Sequence, residues 1–309
     1  MSLPEDFLAL AARVNNWGRW GDQDEAGTLN LVDPAAVRRG VASVQDGRRL
    51  SLAIPLWEDG PQLGNIPGRT NPERRMLSVG QPMGRDPDTI HFSDDTVSMP
   101  LQAATHWDAL AHVSSRGKLY NGFPADSTDE SGAARCGIHR LGTLVTRGIL
   151  LDVARVRGVE RLEPGYAITP EDLSAAEEAS GATLEAGDVA LIRTGHIRLL
   201  HAGDKAAYSM GDAPGPGMAC AEWFHERDLA AVATDTIAFE VWPGETKGLV
   251  LPLHVLDLVE MGMTQGQNFD LEALAEDCAA DGRYAFLLEA SPLPFVRALG
   301  SPVNPVVVK

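Results

Sequence analysis

Four short apolar runs, residues 143–153, 189–192, 229–233 and 284–290, constrain this chain more than anything else in it. Each is rich in aliphatic and β-branched side chains and is bounded by Gly, Pro or charged residues, so each reads as a buried strand. Helical patterns stand between and before them. Residues 4–15 place Phe7, Leu8, Ala11 and Val14 on one face, and Asp33-Pro34 opens a helix to about Val44. Thr169, Pro170 and Asp172 form a helix start with the N-cap, first-turn proline and capping-box acid in place. Further helices are expected at 219–227, 253–260 and 271–280. No internal repeat, low-complexity tract or composition break divides the chain, and strands and helices mix without a regular βαβ rhythm. The expectation is one α/β domain over 1–309 with a mixed, barrel-like β core and an N-terminal helical extension at about 1–45.

The remaining segments are shorter. Residues 49–54 and 76–79 read as strands, 81–95 as a polar loop, and 292–305 as a Pro- and Gly-punctuated tail. Residues 57–71 are rich in Gly and Pro and read as a functional or lid-like loop. With the turn that carries Trp17 and Trp20, that loop could shape an aromatic pocket.

The net charge of −17 excludes nucleic acid and anionic membrane surfaces as the main partner. No window approaches the ~20 apolar residues of a membrane span, and Met1-Ser2-Leu3-Pro4 shows no signal-peptide pattern. Cys136, Cys220 and Cys278 are far apart with no CxxC pair, which fits buried thiols in a reducing compartment. A cytoplasmic protein with a small-molecule partner is expected.

The most chemically loaded stretch runs from Gln102 to His112, with two of the eight histidines and Asp108 among small and apolar residues. The alternation in Thr96-Val97-Ser98-Met99-Pro100-Leu101 predicts an extended chain leading into it. On a strand, Gln102, His106 and Asp108 would share one face. An imidazole beside a carboxylate offers a divalent metal a neutral nitrogen and an anionic oxygen. His112 is within reach if the chain curves. Two chemistries stay open from the residues alone: metal-assisted hydrolysis of an amide, lactam or lactone with His112 as general acid or base, or metal-free binding of a small anion.

Other polar residues carry weaker signals. His91, His139, His196, His201 and His225 read as structural or surface residues. Asp235 and Glu240 could reach the pocket or cap a strand end, and Tyr120 and Asn121 are candidate cavity residues. Arg193 could hold a substrate carboxylate, though an internal ion pair fits better. The acidic helix face at 171–178 is solvated.

The Gln102–His112 stretch resembles the HxGTHxDxPxH signature of the cyclase family of metal-dependent hydrolases, which includes bacterial kynurenine formamidase and isatin hydrolase. The resemblance extends to Arg147-Gly148-Ile149-Leu150-Leu151-Asp152, to Gly187-Asp188-Val189-Ala190-Leu191-Ile192-Arg193-Thr194-Gly195 and to Asn268-Phe269-Asp270-Leu271-Glu272-Ala273-Leu274. The Trp-Gly/Gly-Thr-Leu-Asn start and the Gly-Ser-Pro-Val-Asn-Pro end are similar to the longer bacterial members. The resemblance implies a swivelling β/β/α fold, a homodimer or homotetramer, and Zn²⁺ or Mn²⁺ as cofactor. It makes His106 and Asp108 metal ligands, His112 catalytic, and His254 a second catalytic pocket residue. The chain departs from the pattern at Gln102, Ala104 and Leu110, which replace the first histidine, the glycine and the proline, and at Gln267, which replaces a later glutamate. These departures imply one divalent metal at most, held by Gln102, His106 and Asp108 with water. The alternative is a metal-free small-molecule-binding descendant of the same fold.

Overall fold

In the computed structural model, which describes residues 3–86, 88–246 and 248–309, the apolar runs become neighbours in one sheet. Met1 and Ser2 of the expected leaderless start, Pro87 of the expected polar loop and Lys247 lie outside the described residues. The strands that matter are β1 (Arg49–Ser51), β2 (Glu73–Pro82), β3 (His91–Ser98), β4 (His106–Asp108), β5 (Val145–Asp152) and β6 (Val189–Arg193). They continue with β7 (Ala231–Thr234), β8 (Thr264–Gln267), β9 (Ala285–Glu289), β10 (Gly300–Pro302) and β11 (Val306–Val308). The longer helices are α1 (Glu5–Arg13), α2 (Pro34–Ala42), α3 (Pro170–Ser180), α4 (Cys220–Glu226) and α5 (Glu272–Asp281).

Nine strands form one mixed sheet in the order β1-β11-β9-β5-β6-β7-β8-β4-β10. The central four, β5 to β8, are parallel, and both flanks are antiparallel. The sheet curls into a half-barrel, as a mixed, barrel-like core requires. Parallel strands need covering on both faces, and β6 shows how the sequence meets that need. Val189 and Leu191 pack with Trp107 and Phe269 on one side, while Ala190 and Ile192 pack with Phe7, Leu173 and Phe224 on the other. That second side is where α1, α3 and α4 lie. Thr169 caps α3 by accepting from the Asp172 amide while the Asp172 carboxylate accepts from the Thr169 amide, and Gly181 ends the helix at φ 68°.

Several expectations change. On α1 the buried residues are Phe7, Leu10 and Ala11, with Val14 just beyond, and Leu8 is exposed. The strand expected at 49–54 stops at Ser51, with Ala53 making a single bridge to Phe269. Within the expected polar loop 81–95, Gln81 and Pro82 end β2 and residues from His91 onward form β3; the two strands make a hairpin in which nearly every residue is exposed. The expected strand at 76–79 lies within β2 and the extended reading of Thr96–Ser98 within β3, while the rest of the hairpin, with neither face buried, carries no apolar alternation to reveal it. The 292–305 tail contains β10, which pairs with β4. The helix expected at 253–260 is one short turn, Pro252–His254, followed by a π-helix over Val255–Met261. Arg193 is buried between Asp152 and Glu272, so its internal ion pair stands and its substrate role does not. All three cysteines are free and buried. No helix among the described residues is long and apolar enough to cross a membrane.

His196 is fully buried, stacks on Tyr208 with centroids 5.3 Å apart, and places Nε2 3.2 Å from the Tyr208 carbonyl oxygen. Burial lowers its pKa from 6.5 to about 4. Between those values the unfolded chain binds the extra proton and the folded state does not. The site's contribution to stability is therefore intact above pH 6.5 and is lost as the pH falls toward 4. His196→Asn should flatten the decline in stability between pH 7 and pH 4 by up to about 3 kcal/mol. Urea midpoints at several pH values check this, and parallel pH curves for both proteins would refute it.

Candidate functional site

The site begins with the three residues of β4, held between β8 and β10. Trp107 points into the core, where its ring meets Phe269 edge-on at 5.0 Å and its Nε1 donates to the Ala290 carbonyl at 2.7 Å. Gly266, opposite Trp107 on β8, makes this possible: a Cβ there would lie 2.6 Å from Phe269 and 2.8 Å from the Trp107 ring. Strand alternation then sends His106 and Asp108 to the other face, as the sequence predicts. His106 Nδ1 lies 2.7 Å from the Ala104 carbonyl oxygen. A carbonyl only accepts, so Nδ1 carries the proton and Nε2 is left as a lone pair. That lone pair faces Asp108 Oδ1 at 3.6 Å. Both atoms are buried and neither has a hydrogen-bond partner among the described residues.

The other carboxylate oxygen is engaged. Gln267, directly opposite His106 on β8, donates from Nε2 to Asp108 Oδ2 at 2.7 Å and lies 3.4 Å from His254 Nε2. His254 in turn donates from Nδ1 to Glu240 at 2.6 Å, and Glu240 also accepts the backbone amides of Leu253 and His254 at 3.0 Å each. His112 places Nε2 3.8 Å from Asp108 Oδ1. Burial alone would push the Asp108 carboxyl up, but the imidazoles of His112, His106 and His254 outweigh it and hold it well below the usual range. Asp108 draws His112 upward, yet burial with the positive fields of His254, His106 and Arg69 wins, and its pKa falls below the ordinary histidine value. His112 is therefore neutral at pH 7.

These groups open onto a cleft of about 430 Å³, lined by His112, His254 and Gln267 on the polar side and by Ile66, Ile237, Trp242 and Val250 on the apolar side. Arg69 reaches in from the 57–71 loop. A reciprocal amide pair closes that loop: the Gln62 amide donates to Asn71 Oδ1 at 2.8 Å and Asn71 Nδ2 donates to the Gln62 carbonyl at 3.0 Å. Gln62 Nε2 ties it to the Ala103 carbonyl at 2.8 Å, and Asn65 to the Ser209 carbonyl at 3.0 Å.

The structure thus gathers His106, Asp108, His112, His254 and Gln267. Gln102 is not on the strand. It lies in the half-buried turn before β4, with its amide over Gly300, where a Cβ would come within 2.7 Å of Gln102 Nε2. Gly300 opposes Asp108 in the register, so the amide stays beside the site. Tyr120 is a core residue bonded to Asp24, and Asn121 braces the 18–24 turn, so neither lines the cleft. Trp17 donates to the Val259 carbonyl and lies away from it, as does Trp20; the aromatic wall is Trp242. Asp235 caps Thr194 and Gly195, while Glu240 belongs to the site. Arg69 was accessible to sequence reasoning as the one basic residue of the flagged loop. Among the described residues, no three His, Cys, Asp or Glu side chains converge as a metal-holding group.

The family model named Cyclase matches residues 48–241. The crystal structure of a novel cyclase superposes with a TM-score of 0.88 at 38% identity, covering 97% of this chain and 99% of the other. Isatin hydrolase A from Ralstonia solanacearum gives a TM-score of 0.65 at 22% identity, covering 88% of this chain and 95% of its own. An isatin hydrolase bound to the product analogue thioisatinate gives 0.63 at 18% identity, covering 89% and 98%. These last two likenesses are of fold. A search of curated proteins returned no match.

Glu240 holds the whole His254 turn through three accepted hydrogen bonds. Glu240→Ala should cost about 2–4 kcal/mol of stability by leaving buried donors unpaired. Urea denaturation measures this, and an unchanged midpoint would show that Glu240 does not seat the turn.

Proposed function

Because the chain belongs to the cyclase family, we propose that it is a small-molecule hydrolase that cleaves an amide or lactam C–N bond, or a lactone, with one divalent metal, Mn²⁺ or Zn²⁺. The observation that carries this reading is the buried, unpartnered pair of His106 Nε2 and Asp108 Oδ1, 3.6 Å apart. Two acceptors facing each other in a dry site call for a cation between them. Ligands ~2.1 Å from a tetrahedral ion stand about 3.4 Å apart, so the spacing fits one ion. Gln102 would be the third, neutral donor. A second ion has no support, because Gln267 already donates to Asp108 where a second carboxylate would be needed. The isatin hydrolases that share the fold add weight to hydrolysis.

A bound divalent ion supplies Lewis acidity, which lowers the pKa of a water and polarises a carbonyl. The chain's own residues move the protons. Neutral His112 takes the proton as the water oxygen bonds to the carbonyl carbon, then returns it to the departing nitrogen or oxygen as that bond breaks. His254 lines the cleft, and Glu240 behind it holds Nδ1 and so fixes the orientation of the ring toward bound ligand. The cleft's apolar wall excludes bulk water and holds the substrate's hydrocarbon part.

Gln102, a weaker neutral donor than imidazole, and Gln267, which removes a carboxylate from the donor set, favour a second reading: a metal-free small-molecule-binding protein on the same scaffold. Metal analysis separates the two. Protein purified without chelators should contain about one equivalent of divalent metal, and His112→Ala should lower kcat by roughly 10²–10⁴ with metal content and thermal unfolding unchanged. The assay is a panel of amides, lactams and lactones. If no stoichiometric metal is found and added Mn²⁺ or Zn²⁺ raises neither stability nor activity, the hydrolase reading fails.

A further inference from the structure

We propose that Arg69 is the receptor for a carboxylate carried by the substrate, so that the cleft selects small monoanions with an apolar, ring-sized body. The inference rests on the hydrolase reading only for the word substrate; the anion site is argued from geometry. Among the polar side chains that line the cleft, Asn65, Ser209, Gln267 and His254 each already donate to a protein acceptor. Arg69 and His112 make no side-chain hydrogen bond among the described residues. His112 is accounted for by its place beside Asp108. Arg69 is left with all its N–H donors unspent, half-buried, and with no ion pair among the described residues.

That isolation sets Arg69 apart from most other half-buried arginines; Arg161 shares it among the described residues but does not line the cleft. Arg147, Arg227 and Arg283 all meet a carboxylate. A partly desolvated guanidinium without a partner is costly, and here it sits on a loop whose ends are bracketed by Gln62 and Asn71. The cost persists in the folded protein unless a ligand relieves it. Asp108 lies near enough to act on Arg69 through space without bonding to it, partly offsetting the burial that lowers its pKa, and Arg69 is part of the cleft lining.

The ligand's chemistry follows from what surrounds the cation. A single guanidinium presents a planar fork that matches a carboxylate edge to edge. No other Lys or Arg lines the cleft among the described residues, so a phosphate dianion would find only one counter-charge and would face Asp108 as well. The same cleft is lined by Ile66, Trp242 and Val250, three large apolar side chains left exposed, which suit an aromatic or aliphatic body. The same chemistry could come from the carboxylate that hydrolysis generates, and the experiment separates the two sources.

The test uses the full chain, as purified and after chelator treatment. Benzoate and its neutral isostere benzamide are titrated calorimetrically into wild type, Arg69→Gln and Arg69→Lys. Expected is benzoate binding at least about tenfold tighter than benzamide in wild type, weakened roughly 10–100-fold by Arg69→Gln and less by Arg69→Lys. It should survive chelation, and each variant's fold is checked by circular dichroism. Benzoate that fails to bind wild type, or binds Arg69→Gln equally well, overturns the assignment whatever happens to turnover. In parallel, kcat/KM is compared for lactones or amides with and without a carboxylate. Preference for the anionic member, lost in Arg69→Gln, supports a substrate-borne carboxylate. Arg69-dependent benzoate binding with no such preference assigns the site to the product and overturns the substrate claim. Absence of any turnover removes the hydrolase reading while the benzoate arm still decides Arg69.

Discussion

Two lone pairs, one on His106 Nε2 and one on Asp108 Oδ1, are held 3.6 Å apart where water does not reach. Left to themselves these groups would rotate away, since each is an acceptor facing an acceptor in a medium that screens poorly. Much of the surrounding structure prevents that. The Ala104 carbonyl fixes the imidazole, and Asn268 fixes Ala104 by donating to the same oxygen at 3.1 Å. Thr105 donates to the Asn268 carbonyl at 2.6 Å and receives the Ile54 amide at 2.9 Å, which joins the first part of the chain to the last. Below, Trp107 anchors the strand in the core. The site is an arrangement of neighbours before it is a set of ligands.

Gln267 has a distinct electrostatic consequence. A glutamate at that position would set a second negative charge against Asp108 in a buried place, and the pair could both ionise only with a cation between them. The amide instead donates to Asp108, so one carboxylate oxygen is satisfied by the protein itself. The unmet demand is confined to one oxygen and one nitrogen. A site so arranged can fold and stay ordered without a cation.

Legibility in the sequence followed burial. The four apolar runs became four sheet strands because both of their faces are covered, and continuous apolar runs record that directly. The capping box of α3 was readable because its chemistry is local. The shared face of His106 and Asp108 was readable because two-residue alternation survives even in a three-residue strand. What failed was long-range or solvent-facing. Gln102 lies in a turn that alternation does not describe, the Gln81–Pro82 and His91–Asp95 end of the β2–β3 hairpin has no buried face, and β10 is recognisable only by its partner β4. Trp242 enters the cleft from a loop far from His112 in sequence, and nothing in its own neighbourhood announces it, whereas Arg69 is the one basic residue of the Gly- and Pro-rich 57–71 loop.

The amide bracket between Gln62 and Asn71 closes a loop of ten residues whose midpoint supplies Asn65 and Ile66 and whose end supplies Arg69. A loose segment of that size would give up roughly 1–2 kcal/mol per residue when a ligand froze it, and the ligand's affinity would be reduced by that sum. Here the loss is incurred when the chain folds. A visiting molecule meets a loop already closed at its ends and tied to Ala103 and Ser209, so less ordering is left for binding to supply.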